Sequence, residues 1–490
     1  MKVTLREQVY IETDNKEIRT ELKMILDKPN PDFSKMKRMG YPTHGIPPRI
    51  KMYSMDGDTM VIPRGAITYL KKFIKKYDVK GVDFQDKRTV VDEIEMSTKD
   101  LIPFEYQTEA VSHMLKRQQG MVVASCGAGK SIMGVMLMGH LKKPTIIVVH
   151  TLELFKQWED VVNKFLEFPG TVGKIGGGKK TFGHVTIAMI QTLYKLKEPD
   201  WKKIQEKFEI FIGDECHHFG ANTYMSIMKK ITAKYSIGVT ATPERKDKKD
   251  FIIHAYLGNV IYEVTDEDLA DEGRSLTCKV RVCETGRRYN YTKMNEIMTV
   301  LSGVMGKDMS RNRLIVDNIK EDLDDDRTVM VLVDRVAHGR ILHAMLKDEY
   351  LSTEIINGSV DPDTRTKIKN RMIDGKVQVL VANKAIAAEG LDIPIIDSVH
   401  IGFWTSNVAL MKQMMGRGRR PFKEKENCRV WMYRDIVYKL ELDNKTFQET
   451  QKEVPSFKYA FNRTTNWVKD QGFDIRTIKP KTGFEKYDVT

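Results

Sequence analysis

Cysteine is scarce in this chain: five in 490 residues, at 126, 216, 278, 283 and 428, with no CxxC pair among them. That leaves no ligand spacing for a structural zinc and no disulfide framework, and it suits a reducing, cytosol-like compartment. Long apolar runs are missing as well. None reaches the ~18 residues that a membrane-spanning helix needs, so no membrane contact is expected. The N-terminus, Met1-Lys-Val-Thr-Leu-Arg-Glu, alternates as a strand does and carries no apolar signal core. No low-complexity tract or short-period repeat is present. Acidic residues are in the minority, 67 against 80 lysines and arginines, for a net charge of +13. A positive surplus suits a polyanion such as nucleic acid, although it also serves as a solubility charge spread over a surface.

What is there is an ordinary globular composition, 41% hydrophobic and 30% charged, in a length that holds roughly three domains. Residues 1–95 read as a small α+β accessory domain with a possible DNA-binding role. Lys16–Leu26 has helical Lys/Glu pairing, Arg49–Pro63 reads as two strands turning at Asp56-Gly57, and Ile67–Lys76 as a short basic helix. From about residue 96 the texture changes. Apolar runs at 121–124, 145–149, 185–190, 210–213 and 235–240 alternate with helical patterns, as in a doubly wound parallel sheet with both faces covered. A second such series, at 328–333, 377–381, 398–402 and 429–433, implies a second α/β domain. The expected domains are therefore 1–95, 96–268, 269–455 and a tail at 456–490, with about 265–310 as mixed linker and helix. The tail interleaves rings and cations (Phe457, Tyr459, Phe461, Arg463, Trp467, Lys469, Phe473, Arg476). Such a mixture can stack bases and hold phosphates, but packing of the rings on the second domain is the favoured reading.

Three segments carry chemistry. Ala124-Ser-Cys-Gly-Ala-Gly-Lys-Ser131 follows a strand and opens a helix. Gly127 and Gly129 allow tight turns whose N–H groups face phosphate oxygens, and the helix N-terminus adds its dipole. Lys130 would neutralise the β/γ-phosphates and Ser131 would ligate Mg²⁺. Ala124 stands where such loops usually have their leading glycine. Asp214-Glu215 closes an apolar strand, where ligands bind in open parallel sheets. Asp214 can hold Mg²⁺, and Glu215 can orient and deprotonate an attacking water. Far along the chain, Gln413-Met-Met-Gly-Arg-Gly-Arg-Arg420 puts Arg417 and Arg420 three apart, on one face if the segment is helical, where two guanidiniums suit the charge of a phosphoryl transition state. Alone, such a run could be a basic surface face.

Taken in order, these segments resemble the motifs of superfamily 2 helicases of the DExH type, and the resemblance covers about 100–440. Phe104-Glu-Tyr-Gln107 is similar to the adenine-reading segment, Ala124–Ser131 to motif I and His150–Trp158 to motif Ia. Gly176–Lys180 and Ile190–Leu193 are similar to strand-contacting elements, Asp214–His217 to motif II, and Thr240-Ala-Thr242 to motif III. Val331–Asp334 resembles motif IV, Ala382–Asp392 motif V and Gln413–Arg420 motif VI. The resemblance implies two RecA-like lobes with ATP between them and nucleic acid across both.

Its expected catalytic residues are Lys130, Asp214, Glu215, His217, Gln413, Arg417 and Arg420, the two arginines as fingers. Nucleotide contacts fall on Phe104, Gln107, Ala124, Ser125, Cys126, Gly127, Ala128, Gly129, Lys130, Ser131, Gly390 and Asp392, and Mg²⁺ on Ser131 and Asp214. Nucleic-acid contacts fall on Thr151, Gly177, Gln191, Thr192 and Lys384. Within the superfamily, XPB-type repair helicases and bacteriophage branch-migration helicases are the most similar groups. They imply an ATP-dependent helicase or translocase on branched or duplex DNA without sequence specificity. A monomer in the cytoplasm is expected. The motor of a restriction or nuclease complex and an RNA helicase stand as alternatives.

Overall fold

The structure, a computed structural model, describes all residues except 126, 217–220, 242–246, 274, 291–302, 350, 386–392, 423–424, 443–448, 480–487 and 490. The chain forms two compact units, Met1–Asp268 and Leu269–Thr490. Both are mixed α/β with a parallel sheet, the fold class read from the sequence.

The first unit starts with a five-stranded sheet in the order Ser54–Asp56, Thr59–Ile62, Val9–Glu12, Lys2–Leu5, Asp83–Asp86. The hairpin turns at Gly57-Asp58, one residue past the expected Asp56-Gly57, with Gly57 at φ +57° as the first turn residue and Asp56 paired with Thr59. Helix Lys16–Leu26 starts where the Asn15 side chain accepts the Ile18 N–H, and it buries Ile18, Leu22 and Leu26, one stripe at helical spacing. This stripe belongs to the same apolar core as Met121, Ile146, Val148 and Phe211 of the following sheet. Arg64 fastens the two layers. Its buried guanidinium donates to the carbonyls of Ala233 (2.7 Å), Ile231 and Lys234 and to Gln119 Oε1 (3.0 Å). Burial without a carboxylate in contact brings its pKa down to about 9.

That following sheet has eight strands in the order Lys179–Lys180, Gly173–Gly176, Val185–Met189, Thr145–Val149, Ile210–Asp214, Tyr235–Thr240, Gln119–Ala124, Val260–Val264. All pairs are parallel except the hairpin at its first edge. Central strands such as Thr145–Val149 are buried at every position, which is why they read as continuous apolar runs. The strand Ile210–Asp214 lies beside Tyr235–Thr240, and that strand lies beside Gln119–Ala124. Three motif-bearing strands therefore end side by side.

The second unit is built on a nine-stranded sheet whose main path runs Thr353–Ile356, Val379–Asn383, Val329–Val333, Ser398–Ile401, Asn427–Leu442, Thr277–Asn290, Asp474–Ile478. Thr277–Asn290 corrects the reading of 265–310 as linker and helix: it is a fourteen-residue strand paired on both sides. Its burial alternates but changes parity midway, from Cys278, Val280 and Val282 to Cys283, Thr285, Arg287 and Tyr289. Charged residues between the apolar ones hid it from a search for apolar runs. Inward polar groups are paired. Arg311 and Asp435, both fully buried, meet at 3.0 Å, and Asp435 also accepts from Thr285 (2.6 Å) and Trp404 (3.3 Å). Removing one partner of such a pair costs about 3–5 kcal/mol.

The tail packs most of its rings, as favoured, while Tyr459 is exposed. Helix Pro455–Asp470 buries Phe457 and Phe461 against Trp404, at centroid distances of 4.9 and 5.8 Å. Lys412 lies over Trp467 and Arg419 over Phe473. Among the described residues, no helix is long and apolar enough to cross a membrane, and no group of three or more His, Cys, Asp or Glu could hold a metal ion.

Candidate functional site

Strand Gln119–Ala124 runs into a loop whose Gly127 (φ +92°) and Gly129 (φ +76°) are left-handed, and helix Lys130–Leu141 begins at once. This is the local geometry that turns successive N–H groups toward an anion. Helix Glu105–Arg117 braces the loop. Tyr106 Oη and Gln107 Nε2 each donate to the Ala128 carbonyl at 3.1 Å, while Gln107 Oε1 accepts the Phe104 N–H at 3.1 Å. Gln107 thus helps to hold the loop, and a side chain at Gly129 would collide with its amide.

At the loop's end Lys130 Nζ lies 3.2 Å from the Ala124 carbonyl and 3.2 Å from Glu215 Oε1. Ser131 is buried beside it in the first turn. Asp214, at its strand's carboxyl end, accepts the Trp158 indole N–H on Oδ2 (2.8 Å) and the Glu215 N–H on Oδ1 (2.9 Å). Burial, with the Glu215 charge adding, pushes the Asp214 carboxyl up to about 6. Glu215 has φ +47°, a left-handed backbone that a non-glycine residue adopts only when its surroundings require it. Its Oε2 accepts from Thr240 Oγ1 (3.2 Å) and the Ala241 N–H (3.3 Å). Segments at 124–131, 214–215 and 240–241 are therefore one connected cluster: cation, two carboxylates, hydroxyl and phosphate-facing loop. The donors fit a nucleotide with a hard cation, since a hydroxyl and one carboxylate are the oxygen ligands Mg²⁺ takes beside phosphates.

Four other candidates stand at the carboxyl ends of neighbouring strands. Thr151 caps helix Leu152–Phe165 by accepting the Leu154 N–H (3.2 Å). Gln191 Nε2 donates to the His150 carbonyl (3.0 Å), with the partly buried Thr192 next to it. Gly177, at φ +58°, lies in the hairpin tip with open space where a Cβ would be. Sequence reasoning missed two large exposed side chains in these segments, Leu152 and Tyr194, which the apolar periodicity alone would have buried. Sequence reasoning also left out Trp158 as a partner of Asp214; nothing local marks a contact 56 residues apart.

The second unit holds the remaining candidates. Lys384 is ion-paired with Asp334 and lies over the Phe403 ring. Gln413 and Arg417 are buried on helix Val408–Gly418. Arg420 is not on that helix face. The helix stops at Gly418, with Arg419 as its C-cap, because Gly416, Gly418 and Pro421 all oppose its continuation. Arg420 is partly buried, and with burial its charge lowers the Lys369 ammonium. Cys126, His217, Thr242, Gly390 and Asp392 lie outside the described residues.

Comparison with known proteins adds two matches in tandem. Residues 100–245 match the family described as type III restriction enzyme, res subunit, and residues 310–421 match the helicase conserved C-terminal domain. Over 207 residues the chain is 31% identical to the DNA 3'-5' translocase XPB2 of Sulfurisphaera tokodaii, which covers 42% of this chain and 46% of that protein. It is 23% identical over 440 residues to the ATP-dependent DNA helicase uvsW of Enterobacteria phage T4, covering 82% of this chain and 85% of that one. The matched region thus spans less than half of the archaeal translocase. Among solved structures, Saccharomyces cerevisiae Dbp5 bound to RNA and ADP BeF3 superimposes with a TM-score of 0.52 at 15% identity, covering 77% of this chain and 90% of that one. The type ISP restriction-modification enzyme LlaBIII bound to DNA gives 0.55 at 13% identity, over 78% and 32%. Both show likeness of fold.

Proposed function

Because the chain belongs to the superfamily 2 helicases, we propose that it is an ATP-dependent DNA translocase that remodels branched or duplex DNA. The observation that carries this reading is the cluster of Lys130, Glu215, Asp214 and Thr240 beneath a left-handed glycine loop. Lys130, resting on Glu215, has an anionic partner to exchange for a phosphate. Glu215 can then orient and deprotonate a water. Thr240 and the Ala241 N–H sense that exchange, because they bond the same carboxylate. Ser131 and Asp214 would hold Mg²⁺, which neutralises phosphate charge when bound.

In this reading Arg417 and Arg420 act as arginine fingers on the nucleotide, His217 and Gln413 share the catalytic work, and Gly390 and Asp392 contact the nucleotide. Thr151, Gly177, Gln191, Thr192 and Lys384 contact phosphate and sugar, which carry no sequence information. The protein works as a monomer.

The family described for residues 100–245 favours one second reading, the motor of a restriction complex. Incubating the pure protein with a branched duplex, ATP and Mg²⁺ separates the two. Displaced or migrated intact strands support the proposal, and cut strands support the restriction motor.

A further inference from the structure

Trp158 joins two parts of the molecule that the proposed function leaves separate. It lies on helix Leu152–Phe165, whose first turn is capped by Thr151 at the candidate nucleic-acid edge. Its ring is fully buried. The space it fills exists because residue 134, on the helix that follows the phosphate loop, is a glycine: a Cβ there would stand 2.6 Å from Trp158 Cη2 and 3.3 Å from Ile212 Cδ1. Ile212 belongs to the strand that ends in Asp214. One ring therefore touches the phosphate-loop helix and the acidic strand, and its own helix reaches the nucleic-acid edge. The indole N–H is its only polar group, and that group goes to Asp214 Oδ2 at 2.8 Å. A phenylalanine or leucine would serve the core as well. A donor is needed only if the carboxylate has to be held in one orientation.

We propose that Trp158 is a positioning residue for the nucleotide-bound cation: its N–H fixes the Asp214 carboxylate and ties it to the helix that starts at the nucleic-acid edge. Oδ2 is committed to the indole and Oδ1 to the Glu215 N–H, so the carboxylate cannot rotate without breaking a bond. A shift of the helix on engaging a strand would move the N–H and the carboxylate with it. Groups that orient a metal-binding carboxylate from behind typically account for 10–100-fold in metal affinity.

This inference rests on the proposed ATP site. The test uses the full chain and a fluorescent ADP analogue, whose binding is titrated against Mg²⁺ by anisotropy. Trp158→Phe keeps most of the ring and removes the N–H. The expected result is a rise of about 10-fold or more in the Mg²⁺ midpoint, with nucleotide affinity restored at saturating Mg²⁺. Trp201→Phe is the control for loosened packing, because Trp201 is as deeply buried in the first unit; its midpoint should match wild type. An unchanged midpoint in Trp158→Phe, or an equal shift in Trp201→Phe, overturns the proposal. Should Trp158→Phe not fold, Gly134→Ala forces the ring, and its N–H with it, away from Asp214, and a folded Gly134→Ala with a wild-type midpoint overturns the proposal as well. If wild type itself shows no Mg²⁺-dependent nucleotide binding, the ATP site fails, and with it the proposed function.

Discussion

Adding one methyl group at Gly129 should disable the phosphate loop by a route that can be dissected. Gly129 sits at φ +76° and ψ 38°, where a residue with a Cβ costs about 1–2 kcal/mol. The new methyl would also run into Gln107 Nε2. To relieve that contact the amide must leave the Ala128 carbonyl, and an internal hydrogen bond given up in a buried site costs about 1–3 kcal/mol. Gly129→Ala should therefore lose about 2–5 kcal/mol in all. In a Gln107→Ala background the collision is gone, and only the backbone cost of about 1–2 kcal/mol should remain. The double-mutant cycle should yield a coupling of about 1–3 kcal/mol. Urea unfolding supplies the measurement, following the transition that Mg²⁺ and ADP displace, since that transition belongs to the nucleotide-binding unit. Equal losses from Gly129→Ala in both backgrounds would refute the reasoning, because the Gln107 clamp would then play no part.

Further outcomes follow from other sites. Glu215→Gln keeps an acceptor for Thr240 and Ala241 but removes the base, so turnover should fall by about 10²-fold or more while ATP-bound protein accumulates on DNA, measured by retention of labelled ATP on immobilised duplex. Arg420→Ala should leave nucleotide binding near wild type and cut ATP turnover by about 10³-fold, as read by coupled-enzyme kinetics; normal turnover would remove Arg420 from the site. In the second unit, burial would raise the Asp322 carboxyl, but bonds from His400 and Ser398 and the charge of Arg429 overcome it and bring it down to about 2. A depressed carboxylate stabilises the fold above its unfolded pKa and loses that contribution as pH falls through the folded value. About 2 kcal/mol should therefore disappear between roughly pH 5 and pH 2, and Asp322→Asn should remove that part of the slope in acid-unfolding scans.

Much of this architecture was legible in the sequence because parallel strands buried on both faces read as apolar runs. Thr145–Val149 and Val329–Val333 are buried at every position, and their bounds were read almost to the residue. The glycine loop was legible for a different reason: its chemistry is local, so spacing suffices. Where contacts are distant, the sequence was silent. The Trp158–Asp214 bond spans 56 residues and Arg64 reaches Ala233 across 169, and neither leaves a local pattern. Strand Thr277–Asn290 was hidden by its charged alternate positions, and burying Arg287 became acceptable only once Asp308 was 2.7 Å away. Arg417 and Arg420 stand at helical spacing in the sequence, but two glycines and a proline end the helix before Arg420.

The central claim is an ATPase driven by DNA, and the steady-state rate of ATP hydrolysis by the full chain tests it most directly. The rate should be measured in parallel with forked DNA, four-way junctions, linear duplex, single-stranded DNA and RNA. Steep stimulation by branched or duplex DNA, lost in Lys130→Ala and weakened by added salt as phosphate contacts are screened, is the result predicted. Stimulation by RNA alone, or hydrolysis that no nucleic acid changes, would contradict it.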